Sequence, residues 1–303
     1  LWVAGIPLQS EARDDRLRNW VFGQWEWVVR DSRIRYSDQT SDAPAIEIHH
    51  MDGVLRNGLR EHQFRIDGSP DPALGDRLSW RGRLKQPLLS TQAGVWEDWS
   101  GTTYLEASRI DWGGWNRHIH WPDSVEVLQG QGWLRAWLDF RAGKILHWNA
   151  DIGLDEFQVK VSRDNSTPRQ IKLHSVTGRL GWIGGKEQKW SLQQAVVSAP
   201  NVPSWSIGQA SLSMRQNPQQ QIEGGDGYID HIDLASLAAW KDWLPDPWSA
   251  TWDQAAPQGQ LKQLKWQYVG GLADLKVQSW QAQAVNLGWQ PASSTKFKPL
   301  ATW

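Results

Sequence analysis

The residues able to do chemistry are few, and their spacing is loose. Histidine is densest at Arg117-His118-Ile119-His120, where a strand would put His118 and His120 on one face and His147 would complete a trio of imidazoles. No acidic ligand is spaced to support such a metal site, so these read as surface histidines. His49-His50 alternates faces and suits chelation less. His62 reads as a structural hydrogen-bonding group. The carboxylates Glu97-Asp98, Asp151 with Asp155-Glu156, and Asp226 with Asp230 could include a glycosidase pair, but solvated loop charge is the simpler reading. Gly130-Gln131-Gly132 lacks the third glycine of a dinucleotide loop and leads into a strand. There is no Gly-x-Ser-x-Gly elbow, Walker loop or His-Glu-x-x-His, and the absence of Cys removes thiol nucleophiles and thiolate metal sites. The expectation is a protein that is not an enzyme and carries no metal and no cofactor.

Composition points the same way. Lys plus Arg is 32 and Asp plus Glu 33 in 303 residues, a net charge of -1 that offers no polycationic surface, so nucleic acid is not an expected partner. The abundance of Trp, 24 against 5 Phe and 4 Tyr, means a large apolar surface to place. No run approaches the roughly 18 apolar residues of a spanning helix; the short stretch Leu237 to Trp240 is flanked by Ser236 and Lys241. Residue 1 is Leu, with no basic n-region or apolar h-region after it, and the chain reads as a piece of something longer whose signal or anchor lies elsewhere.

The elements that hold these residues follow a period of two, that of strands with one hidden face. In residues 133–140 Leu134, Ala136, Leu138 and Phe140 point one way, and Trp133, Arg135, Trp137 and Asp139 the other. After a turn at Ala142-Gly143, Trp148, Ala150, Ile152 and Leu154 oppose His147, Asn149 and Asp151, which makes a hairpin with a dry and a wet face. The pattern returns at Phe157, Val159 and Val161, at Leu180 and Trp182, at Trp190 and Leu192, and earlier at Phe64 with Ile66 and Leu78 with Trp80. One helix is expected at Leu234 to Leu244, capped by Asp233 and stopped by Pro245. The polar stretches Arg163 to Arg169 and Asn217 to Gly227 read as loops. Ile110-Asp111-Trp112 with its following strands lines up with Ile232-Asp233-Leu234 and its own. This suggests a first β segment over 1–103, a β repeat module over 104–227 and a truncated second copy over 228–303. One-sided strands can pack as a sandwich, close as a barrel, or curl as an open sheet around something else.

Several stretches, in this order, resemble the YhdP branch of the AsmA-like envelope proteins of Gram-negative bacteria. They are residues 24–38 (QWEWVVRDSRIRYSD) with Ala43-Pro44, Ile46 to Ile48 and Glu61 to Phe64, then 99–105 (WSGTTYL), Ile110 to Trp112 and Trp115, 130–140 (GQGWLRAWLDF) and 176–182 (VTGRLGW). The resemblance covers about residues 20–290. It implies a mainly β fold, an elongated, curled antiparallel sheet forming an apolar groove, repeat-built and with a few short helices. It implies, too, a bridge-like lipid transfer protein of the periplasm, tethered to the inner membrane by a segment absent from this chain. Phospholipids would pass along the groove between inner and outer membranes, supporting outer-membrane lipid homeostasis and barrier function.

Alternation and resemblance together name the expected lining: Leu134, Ala136, Leu138, Phe140, Trp148, Ala150, Ile152, Leu154, Val159 and Val161. Trp80, Trp148 and Trp182 fall on the dry face, where core packing competes with lipid contact; Trp133 and Trp137 fall on the wet one. Trp96, Trp99, Trp112, Trp115 and Trp121 are expected to seal a helix or loop against the sheet. The alternative is a compact β-sandwich that binds envelope polysaccharide through exposed Trp such as Trp137.

Overall fold

A computed structural model of the chain describes residues 2–3, 6–7, 15–38, 43–88, 98–119, 121, 125–162, 169–200, 203–219, 221–238, 257–270 and 276–289. A ribbon of β1 (Trp2–Val3) and β2 (Ile6–Pro7) and the helix α1 (Asp15–Gly23) come first. A meander follows: β3 (Glu26–Tyr36), β4 (Ile46–Asn57), β5 (Glu61–Pro70), β6 (Leu78–Lys85) and β7 (Ser100–Asp111), then the helix α2 (Trp112–Trp115), β8 (Val125–Arg141), β9 (Lys144–Val161) and β10 (Arg169–Ile183). The chain goes on through β11 (Glu187–Ser198), β12 (Trp205–Gln216), β13 (Ile222–Asp233), the helix α3 (Leu234–Ala238), β14 (Pro257–Val269) and β15 (Lys276–Trp289).

Strands β3 to β15 form one antiparallel sheet of 13 strands in which each lies beside its sequence neighbours. Because β3 and β15 end the order and do not pair with each other among the described residues, the sheet does not close into a barrel, and the β1-β2 ribbon is the other sheet among those residues. The mainly β expectation with short helices holds; the sandwich does not, since no second large sheet lies among these residues. Contacts divide the chain into two compact units, Leu1–Leu173 with Gly181–Gly184, and His174–Leu180 with Gly185–Trp303.

Long strands cannot keep strict alternation and one flat face together, and this chain resets the count with bulges. In β4 Ile48 and Met51, three residues apart, both approach the space beside Gly68, and His50 between them has φ +48°. In β9 the pairing with β8 slips on either side of Gln129, so Glu156 at φ +48° stands between Leu154 and Phe157. In the second unit Gln194 at φ +49° separates Leu192 from Ala195, and both still meet the site of Gly178. An extra residue in one strand turns the following side chains back to the face they would have left. The residue that takes the left-handed backbone points no apolar group at the core, so a polar side chain there costs nothing in packing.

The hairpin turn at Ala142-Gly143 has φ +50° and +68°, the mirror-image turn whose twist suits antiparallel strands. One expectation needs correcting. Residues 222–227 are strand, not loop: Gly225 and Gly227 leave room for the Tyr268 hydroxyl and the Trp266 indole, which glycine-poor strand rules do not anticipate. The expected helix at Leu234 is described only to Ala238, with its later residues outside the described set, and α1 and α2 occur as well. α2 is Trp-Gly-Gly-Trp, a poor helix by propensity, and is held by its ends: Gly114 N–H donates to Asp111 Oδ1 at 3.0 Å and Trp115 Nε1 to the Leu74 carbonyl at 2.8 Å. Asp233 caps α3 in the same way, accepting from Ser236 N–H at 2.8 Å.

Candidate functional site

In the first unit the strand registers put apolar residues opposite one another from β4 to β9. One rung runs Gly53, Ile66, Trp80, Leu105, Ala136, Ala150. The next runs Leu55, Phe64, Gly82, Thr103, Leu138, Trp148, and a third Gly68, Leu78, Ala107, Leu134, Ile152. Directly opposed residues of an antiparallel pair share a face, so this is one apolar surface. Phe64 meets Trp80 edge-on at 4.9 Å, and Gly82 gives the Phe64 ring its space.

Of the ten residues expected from the sequence, Leu134, Ala136, Leu138, Trp148, Ala150 and Ile152 fall in these rungs. Phe140 opposes Gly101 beside Leu84, and Leu154 opposes Gly132. Val159 and Val161 pair with Val127 and Val125 beyond the bulge, which brings Phe157 against Gly130 and restores the face. Alternation could not reach the β5, β6 and β7 partners, because register is not written in a single strand.

The two ends of the strands are covered. At one end α1 lies over Trp27, Asn57 and His62: Trp20 packs on Trp27 at 4.7 Å, and Phe22 meets His62 and Trp99 edge-on at 5.6 and 4.8 Å. His62 stacks flat on the buried Trp99 at 4.2 Å, and its Nδ1–H donates to Asn57 Oδ1 at 2.8 Å. Asn57 Nδ2 in turn donates to the Val21 and Gln24 carbonyls at 3.2 and 2.6 Å, which ties the end of α1 to the sheet. Burial pushes the His62 imidazole below its ordinary pKa, against the opposing pull of the Gln86 side chain. At the other end Trp112 lies against Gly132, and Trp115 is bonded to Leu74, so Trp99, Trp112 and Trp115 seal helices to the sheet as expected; Trp96 lies outside the described residues.

Between these ends the surface is unevenly exposed: Ala107 and Ala150 are buried among their neighbours, while its large side chains are partly open. Trp80 is 45% exposed and Ile66 37%, values a packed core would not allow.

The opposite face is polar. Arg56 pairs with Glu26 at 2.7 Å, Arg65 with Asp67 at 2.7 Å, Arg135 with Glu106 at 3.2 Å, and His147 with Asp139. Exposed pairs of this kind add little stability, at most about 1 kcal/mol each, but they keep the face wet. Trp133 and Trp137 are on it, as the alternation implies: Trp133 folds over Gly153, and Trp137 packs on Tyr104 at 5.2 Å.

The second unit repeats this division by itself. Trp190, Leu212, Gly227, Trp266 and Trp280 form one rung, and Trp280 is 69% exposed. On the reverse side Ser213 Oγ donates to Asp226 at 2.6 Å, while Lys265 opposes Tyr228.

The chemistry-bearing residues do not converge. His118 is in the turn after α2, where its N–H donates to the Trp115 carbonyl, not in a strand, and His120 lies outside the described residues. Among the described residues no three His, Asp or Glu side chains are placed to hold a metal. Asp230 accepts the His231 N–H at 2.7 Å and Asp226 the Ser213 hydroxyl, so that pair is engaged locally. Among the described residues no helix is long and apolar enough to cross a membrane.

Comparison with known proteins gives one match. No curated protein and no solved structure matches the chain. The family described as YhdP protein matches residues 4–301, nearly the whole length. This chain, whose long strands run in one antiparallel order, belongs to the YhdP family of envelope proteins.

Proposed function

We propose that this chain is a segment of a periplasmic bridge-like lipid transfer protein, whose apolar face shields phospholipid acyl chains on their way between inner and outer membranes. It carries its cargo and does not convert it. The observation that supports this reading is the three-rung apolar surface across β4 to β9, on which Trp80 and Ile66 remain exposed.

The dimensions suit the cargo. Six strands at about 4.8 Å spacing span roughly 24 Å, more than the approximately 15 Å that one leaflet of acyl chains fills. An acyl chain exposed to water costs about 0.8 kcal/mol per CH2, so shielding must continue along the whole path. Transit also needs contacts weak enough to leave, which many interchangeable Leu, Ile, Ala and Trp contacts provide better than one deep pocket. The head group stays in water. Attachment to the inner membrane and delivery to the outer one belong, in this reading, to other parts of the protein.

The test places charge on the surface. Leu138→Asp with Ala150→Asp in the full-length protein should lower the phospholipid that co-purifies, measured by mass spectrometry, by about ten-fold or more, since each carboxylate must be desolvated. Arg135→Asp with Asn149→Asp, on the polar face, should leave it unchanged. Equal lipid in all three proteins, with circular dichroism confirming the fold, contradicts the proposal.

A further inference from the structure

On the polar face of the first unit a hollow of about 550 Å³ opens over Thr102. Arg81 and Arg83 of β6, Tyr104 of β7, and Trp137 and Asp139 of β8 line it, with Phe64, Gly82, Thr103 and Leu138 at the positions between them. The charge here breaks the rule of this face. Arg56, Arg65 and Arg135 each have a carboxylate within 3.2 Å, but neither Arg81 nor Arg83 has one at ion-pair distance among the described residues. Arg81 also stands directly opposite Arg65, a like-charge cross-strand pair that destabilises a sheet. The Arg81 guanidinium lies 4.6 Å over the Tyr104 ring, which holds it in place without neutralising it.

Trp137 supplies the second observation. It leans on Tyr104 at 5.2 Å and remains 39% exposed at the hollow, an indole presented in part to solvent. Exposed indole faces stack on the C–H face of a pyranose ring; Thr102 offers a hydroxyl partner for its hydroxyls. Two unneutralised guanidiniums match the planar carboxylate of an acidic sugar.

We propose that the Arg81, Arg83, Tyr104 and Trp137 hollow binds an acidic, uronate-bearing saccharide. The charged and aromatic side chains of the site stand on the polar face, and the proposal does not rest on the lipid reading.

The experiment uses the full chain with tri-galacturonate and its methyl ester as probes, followed by saturation-transfer NMR and titration calorimetry. The acid should bind, and the ester about ten-fold or more weakly, since one charged hydrogen-bonding pair is lost. Trp137→Ala should abolish saturation transfer to the ring protons, Arg83→Gln should weaken the acid to the level of the ester, and Arg56→Gln should bind as the unaltered chain does. Both Arg side chains are solvent-facing, so their replacement tests binding, not folding. Failure of the acid to bind, equal affinity for the ester, or binding that survives Trp137→Ala and Arg83→Gln would each overturn the proposal.

Discussion

His62 is buried between Trp99 and the Phe22 side chain of α1, so protonating it means charging a group with little water around it. Its folded pKa lies below the unfolded value. The unfolded chain therefore takes up the proton first, and the stability His62 contributes is present above about pH 6.5 and lost as pH falls below it. Thermal melts of the unaltered chain should drop between pH 7.5 and 5.5, and His62→Gln should flatten that slope; an equal slope in both proteins would remove His62 from this role. Close approach gives a second expectation. A Cβ at Gly101 would stand 2.3 Å from the Arg83 carbonyl oxygen, which is backbone and cannot yield, whereas one at Gly23 meets nothing within 4 Å. Gly101→Ala should cost about 1–3 kcal/mol in urea unfolding and Gly23→Ala little or nothing. The sequence made the dry side of residues 133–154 legible because alternation is local. The glycines beneath Phe64 and Trp266 were not legible, because their need depends on which strand lies opposite.

At the scale of the element, the bulges let strands of up to 18 residues hold one face. Deleting Glu156 would remove the slip and turn Phe157, Val159 and Val161 toward the polar side, breaking the buried Val127–Val159 pair. That deletion should abolish cooperative unfolding of the first unit in urea, while insertion of a single Gly in the Asn217–Gln221 turn should be tolerated. Retention of the native urea midpoint after the Glu156 deletion would contradict the bulge account. The signal was present in the sequence as apolar residues spaced by three across two polar ones, Ile48 to Met51 and Leu154 to Phe157. Period-two reading passes over it as noise. The helices were the least legible elements. α2 has two glycines in four residues and forms through the Asp111 cap and the Trp115 bond to Leu74, contacts whose partners stand up to 41 residues apart.

At the scale of the whole molecule, a meander in which every strand pairs with its chain neighbour builds width without long-range crossovers. Sequence pattern specified one-sided strands. It did not decide among sandwich, barrel and open sheet, because the choice depends on whether a second layer or a closing edge exists, and neither is written in the alternation. The central claim is that the dry face contacts lipid. Its most direct test is site-specific photocrosslinking in the bacterial envelope with the probe at Leu138 and, in a parallel strain, at Arg135, neighbours on β8 that face opposite ways. The account expects phospholipid captured at Leu138 and none at Arg135. Capture at Arg135 alone, or at neither position in a folded protein, would contradict it.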